Sequence, residues 1–213
     1  MPGQDKTGGF GLSAARLRRA LDELAGRDRD IARALAESGM PAERRRGTGF
    51  PVLLRIILAQ QLSTKAAATI AGRLDAALGG APWQPEAFLA LDEPSLRAIG
   101  LSRQKIAYGR ALAEQVVSGR FDPDTLAELE DIAAIEAITA LKGFGVWSAQ
   151  MYLIFSLGRA DIWPVGDLGV REGVRRIKRL DERPGEHETE RIGEAWRPHR
   201  SAAALLAWHV LHN

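Results

Sequence analysis

The stretch Leu141-Lys142-Gly143-Phe144-Gly145-Val146-Trp147 decides how this 213-residue chain is read. Apolar residues recur at helical spacing on both sides of it, from about Leu126 to Leu141 and again from Val146 to Leu157. Gly-x-Gly between two helices makes a tight hairpin, because glycine tolerates backbone angles that other residues resist. The amides of Gly143, Gly145 and Val146 then stand bare at the positive end of the second helix, where a phosphate can be held without reading base sequence. Ser148 in the first turn would add a hydroxyl. Taken alone, the same Gly-x-Gly need only turn a corner between helices, so the surroundings carry the argument.

Working outward, Trp147 opens the second helix, with Met151 and Ile154 below it at helical spacing. One helix and one loop further on lies Trp163-Pro164-Val165-Gly166-Asp167-Leu168-Gly169, in which Asp167 opens a helix to about Leu180. Upstream, Ser13 is the expected N-cap of a first helix through Leu17, Leu21 and Leu24. Phe50 to Gln61 reads as a buried helix, Ser63 caps the next, and Ser102 starts a long helix to Val117. The chain closes with helices near 188–195 and 198–211. Period-two strand patterns are essentially absent, so the expected fold is all-α.

Composition narrows the class. Hydrophobic residues make up 46% of the chain, enough for a proper core. Cysteine is absent, which excludes disulfides and a cysteine-ligated iron–sulfur cluster or zinc finger, and fits a reducing compartment. Residues 1–11 are glycine-rich without a signal-peptide pattern and read as a flexible leader, and no apolar run reaches the roughly 18 residues a membrane span needs. Cytoplasmic placement, nucleoid-associated in a prokaryote, and no membrane partner are the expectations. Net charge is only +2, but Arg171, Arg175, Arg176, Lys178 and Arg179 crowd one segment, while 121–136 carries acidic residues alone. That asymmetry allows one face for an anionic partner. The four histidines suggest no metal site: His209 and His212 are one turn apart, but nothing completes a ligand set.

With these residues in view, Leu141–Gly173 resembles the helix-hairpin-helix (HhH-GPD) DNA glycosylases, in which a hairpin is followed by a Gly/Pro-rich loop and an essential aspartate. Ile57-Leu58-Ala59-Gln60-Gln61-Leu62-Ser63 is similar to the segment that enters the duplex in that family. Gly100-Leu101-Ser102 with Lys105 resembles a further landmark, and Trp196-Arg197-Pro198-His199-Arg200-Ser201 resembles the C-terminal signature of the 3-methyladenine DNA glycosylase II branch, which removes alkylated purines. The N-terminal β-rich domain that some members of that branch carry has neither room nor strand pattern here.

The resemblance implies two helical lobes around an active-site cleft, the hairpin lobe near 50–170 and the other formed by 12–49 with 171–213. It implies double-stranded damaged DNA as partner, base flipping, a monomer, and Asp167 as the catalytic carboxylate beside the sugar. Trp147, Met151 and Trp208 take the positions of the base pocket, although the family often has tyrosine where Met151 stands. Gln61, with Leu62 as alternate, takes the position that fills the space of the extruded nucleotide. Lys142, Arg171 and Arg175 are candidate phosphate contacts. No cofactor is required, but the resemblance implies a monovalent cation, Na+ or K+, on the backbone carbonyls of Thr139, Leu141 and Phe144. Bifunctional relatives carry a Schiff-base lysine where Trp147 stands, so no strand cleavage is expected. Three alternatives stay open on sequence: a non-enzymatic hairpin DNA-binding module, a glycosylase for deaminated or oxidised bases, and a structural or protein-interaction helical domain.

Overall fold

A computed structural model describes residues 10–80 and 82–212. Among these there are twelve α-helices and no strand. Contacts divide the chain into two compact units, one of Arg46–Tyr152 and one of the described parts of Met1–Arg45 and Leu153–Asn213. The division thus falls at Leu153, inside the segment that follows the hairpin, where the sequence reading drew it near 170. No helix among the described residues is long and apolar enough to cross a membrane.

The first unit is built from α3 (Phe50–Ala59), α4 (Thr64–Ala77), α5 (Pro85–Ala90), α6 (Glu93–Ile99), α7 (Arg103–Val117), α8 (Asp131–Thr139) and α9 (Val146–Tyr152). Its core helix is α3, with Val52, Leu53, Leu54, Ile56, Ile57 and Leu58 all buried. Helix α7 packs on α3 and α5 through Gly109, where an added Cβ would press on the Phe88 ring and Leu54. Three caps do local work: the side chains of Ser63, Asp92 and Ser102 accept from the amides of Ala66, Ser95 and Lys105. The segment read as one helix from Leu126 to Leu141 is a 3-10 turn, Pro123–Ala127, followed by α8. Pro123 starts the turn and Leu126 is buried in it, so the register restarts at the Glu130 N-cap.

The second unit holds α1 (Ala14–Arg27), α2 (Arg29–Ser38), a π-helical turn at Leu153–Leu157, α10 (Leu168–Lys178), α11 (Glu186–Glu194) and α12 (Arg200–His209). Ser13 sits at the N-cap of α1 without a side-chain bond; the Ala14 amide instead donates to Glu43 Oε2 at 2.8 Å. Of the expected leader, residues 1–9 lie outside the described residues. Phe10 and Gly11 are seated: Phe10 is 8% exposed, with the Arg45 guanidinium over its ring, and Gly11 packs against Gly158.

Helices α10 and α12 approach closely because small residues line the contact. A Cβ on Gly173 would collide with the Ala207 backbone, and Ala202, Ala203 and Ala204 are fully buried. The basic segment read as a continuous face is largely spent holding this unit together. Lys178 Nζ donates to Asp28 at 2.7 Å, Arg179 to Glu37 at 2.8 Å, and Arg176 to the Val210 carbonyl at 2.9 Å.

Candidate active site

Asp167 is the N-cap of α10. Its Oδ1 accepts the Val170 amide at 2.8 Å and the indole Nε1–H of Trp208 at 2.9 Å. Two N–H donors on one oxygen fix the rotation of the carboxylate about its own bonds. The second donor comes from α12, 41 residues away, and reaches Asp167 because Gly169 has no side chain: a Cβ there would stand 3.0 Å from both Asp167 Oδ1 and Trp208 Cδ1. Phe155, in the π-helical turn, supports the other side of the indole, with ring centroids 5.5 Å apart.

The loop leading to Asp167 is pinned from α11 and α12. Arg200, 8% exposed, binds Asp161 through Nε to Oδ1 at 2.8 Å and Nη2 to Oδ2 at 3.0 Å, with a further bond to the Asp161 carbonyl. Ser201 Oγ accepts the Ile162 amide at 2.9 Å, and the Ser201 amide donates to the Ala160 carbonyl at 3.0 Å. Trp163 donates its indole N–H to Thr189 O at 2.9 Å and meets Trp196 edge-on. Trp196 in turn donates to Asp28 Oδ2 at 2.8 Å. A bidentate pair with a buried guanidinium orients strongly, and Arg197 Nη1 adds a further bond to Asp161 Oδ2 at 3.1 Å. The C-terminal signature residues therefore act as the anchor of the Asp167 loop. Sequence reading missed Asp161, Trp163 and Phe155 as contributors; the only signal for the anchor was the Trp196–Ser201 resemblance.

In the other unit the hairpin joins α8 to α9. Gly143 has φ +93°, and the Tyr108 ring fills the space a side chain there would take, so glycine is required twice over. Lys142, Gly145, Val146 and Trp147 are exposed, and Trp147 is 46% so. Ser148 departs from expectation: it is buried, at 5% exposure, and α9 packs against α8 and α3. Met151 is buried at 5%. Tyr152 points away from that stripe, its hydroxyl accepting the Gly49 amide at 3.0 Å, and burial pushes its phenol up.

The turn between α3 and α4 carries Gln61 and Leu62, both exposed. The helix expected to run through Gln61 stops at Ala59, and Gln61 takes φ +57°. Gln60 donates Nε2–H to the hairpin carbonyl of Gly143 at 2.8 Å, which brings this turn and the hairpin together. Lys105 Nζ donates to Leu58 O at 2.6 Å, and desolvation pulls its ammonium below the ordinary lysine value.

Of the two candidate arginine contacts, Arg171 gives its Nε–H to Pro184 O at 2.8 Å, and Arg175 bonds Glu172 through two nitrogens at 3.0 and 2.9 Å. Their charges are partly committed within the chain. No group of three or more His, Cys, Asp or Glu among the described residues could hold a metal ion.

Residues 54–198 match the family described as HhH-GPD superfamily base excision DNA repair protein. The chain belongs to that superfamily. It is 35% identical over 161 residues to DNA-3-methyladenine glycosylase 1 of Schizosaccharomyces pombe, covering 75% of this chain and 71% of that one. Among solved structures it resembles the 3-methyladenine DNA glycosylase of the same yeast in complex with abasic DNA, with TM-score 0.80, 33% identity, and coverage of 89% of this chain and 95% of that one. It also resembles a DNA-3-methyladenine glycosidase from Bacillus halodurans, with TM-score 0.79, 35% identity, and coverage of 89% and 87%. The all-α HhH-GPD fold expected from the hairpin is the fold of these relatives.

Proposed function

We propose that this protein excises alkylated purines, such as 3-methyladenine and 7-methylguanine, from double-stranded DNA by hydrolysing the N-glycosidic bond of an everted nucleotide. The observation that carries the reading is Asp167, held by the Val170 amide and the Trp208 indole on one oxygen at the start of α10. A carboxylate fixed this way is set in place before reaction, so it can face developing positive charge without reorganising.

The chemistry needs little more. Alkylation at N3 or N7 makes the base cationic, which draws it to indole faces by about 0.5–2 kcal/mol per contact. The C1′–N bond breaks with its electron pair going to the base, which leaves neutral. The sugar becomes oxocarbenium-like beside Asp167, water adds at C1′, and its proton passes to solvent. By the family resemblance, Trp147, Met151 and Trp208 are the candidate contacts of the base. The amides of Gly143, Gly145 and Val146, with Lys142, Arg171 and Arg175, hold the DNA backbone. Gln61, or Leu62 beside it, fills the gap left by the base, as flipping requires. Trp147 stands where a lyase would place its amine, so strand scission is not part of the reaction.

The carbonyls of Thr139, Leu141 and Phe144 would hold a Na+ or K+ ion. These are hard oxygen donors around the turn, and Leu141 O, although it takes the Phe144 amide at 3.1 Å, retains a second lone pair. The ion would add positive charge next to a bound phosphate.

A lesion-panel assay tests the proposal. Duplexes carrying 7-methylguanine, 3-methyladenine, ethenoadenine, uracil or 8-oxoguanine are incubated with the protein, and free base and strand breaks are measured with and without alkali. Release of methylated purines, with breaks only after alkali, is the expected result. Selective release of uracil or 8-oxoguanine would move the reading to neutral lesions, and binding without release would reduce the protein to a DNA clamp.

A further inference from the structure

Four residues separate the end of α3 from the start of α4, and each end of that turn is tied down. Lys105 closes the carbonyl end of α3 through Leu58 O at 2.6 Å, and Ser63 Oγ opens α4 by accepting the Ala66 amide at 3.2 Å. Between them Gln61, a residue with a Cβ, sits at φ +57°. That conformation is strained for a residue with a Cβ and persists only where the surroundings over-determine it.

The decisive tie is Gln60, whose side chain crosses to the Gly143 carbonyl at 2.8 Å. Gly143 is itself immobilised: its φ of +93° and the Tyr108 ring packed against its Cα fix where that carbonyl points. Tyr108 is steadied by the Gln104 amide, 2.7 Å from its hydroxyl. This hydrogen bond links the hairpin, proposed to hold the DNA backbone, to the turn that carries the exposed Gln61.

We propose that Gln60 is a positioning residue for base eversion: by bracing the α3–α4 turn on Gly143, it makes the hairpin's grip on phosphate and the insertion of Gln61 one rigid act. The inference rests on the base-everting function proposed above. Without the brace the hairpin would still bind duplex, but Gln61 would enter it at no fixed depth or angle.

The test uses the full chain with Gln60→Met, which keeps the length of the side chain and removes the donor, and Gln60→Asn, which is one methylene too short. Each is compared with Gln61→Ala and with the double variants. Duplexes carry 2-aminopurine beside an abasic-site analogue, so fluorescence reports unstacking apart from bond cleavage. Melting temperature and affinity for undamaged duplex should stay close to wild type in both Gln60 variants. Preference for lesion over undamaged duplex, and the fluorescence rise, should fall about tenfold, the worth of one well-placed hydrogen bond. The double variants should be no worse than Gln61→Ala, because both changes disable one device. A full fluorescence response in either Gln60 variant, or losses that multiply in the double variants, would overturn the proposal. Base release by the wild type is scored separately: its absence would sink the glycosylase reading, whereas the fluorescence cycle judges the brace.

Discussion

Trp208 donates its indole N–H to Oδ1 of Asp167 at 2.9 Å, the same oxygen that caps α10 through the Val170 amide. The carboxylate is therefore at once a helix cap, a partner of the Trp208 indole and the candidate reactive anion. The roles can be separated because they depend on different atoms.

Asp167→Asn keeps an N-cap of nearly equal quality and removes the charge. The variant should melt near the wild-type temperature and bind lesion DNA with similar affinity. Its single-turnover excision rate should fall by about a hundredfold to a thousandfold, the usual loss when a preorganised electrostatic group is removed. Near-normal excision by a folded Asp167→Asn protein would end its assignment.

Trp208→Phe keeps an aromatic ring against Phe155 and deletes only the donor. About tenfold should be lost from the excision rate constant, with little change in KM, since the stacking surface survives while the carboxylate loses a hydrogen-bond restraint. A rise in KM at constant kcat would instead make Trp208 purely a wall of the base pocket.

Arg200→Ala removes the buried guanidinium from Asp161, which is 23% exposed and keeps Arg197 Nη1 at 3.1 Å. The variant loses the bonds of Arg200 to both Asp161 carboxylate oxygens and to its carbonyl, so a clear drop in melting temperature is expected. At a temperature where the variant is still folded, excision should fall through kcat, because the loop before Asp167 has lost one of its anchors. Calorimetry together with single-turnover rates checks both parts.

Asp28 sets an acid limit on stability. Burial raises its carboxyl, but the Lys178 ammonium, the Trp196 indole N–H and the Asp30 amide outweigh burial and hold it below the ordinary 3.8. With the folded value depressed, the unfolded chain takes up the proton first as pH falls. The stabilisation is complete above about pH 4 and is lost as pH drops through the folded value. Asp30 shifts in the same direction. Thermal melts from neutral pH down to about pH 2 should fall more steeply for the wild type than for Asp28→Asn, which starts less stable and changes less. Parallel curves would remove Asp28 from the acid response.

Much of this was legible in the sequence because it rests on local chemistry. Ser63, Ser102 and Asp167 each precede a helical run and each caps it, and Gly143 stands where the chain takes a left-handed angle. What escaped was non-local or carried no residue signal. Nothing in Ala59-Gln60-Gln61-Leu62 announces that a glutamine will adopt φ +57°. Ser148 looks like a first-turn hydroxyl until the packing face of α9 is known. The arginines and lysine after Asp167 read as one basic face, yet Lys178 and Arg179 answer carboxylates on or beside α2, more than 140 residues away in sequence. The bond between Trp208 and Asp167 depends on how near α12 can come to α10, which is a matter of volume rather than pattern.

That nearness has its own consequence. Where Gly173 meets Ala207, main chain lies against main chain with nothing compressible between them. A methyl group at Gly173 would act as a shim, tilting α12 off α10 and drawing the indole away from its carboxylate two turns up the helix. The candidate site can thus be detuned from behind, by a change that touches neither Asp167 nor Trp208.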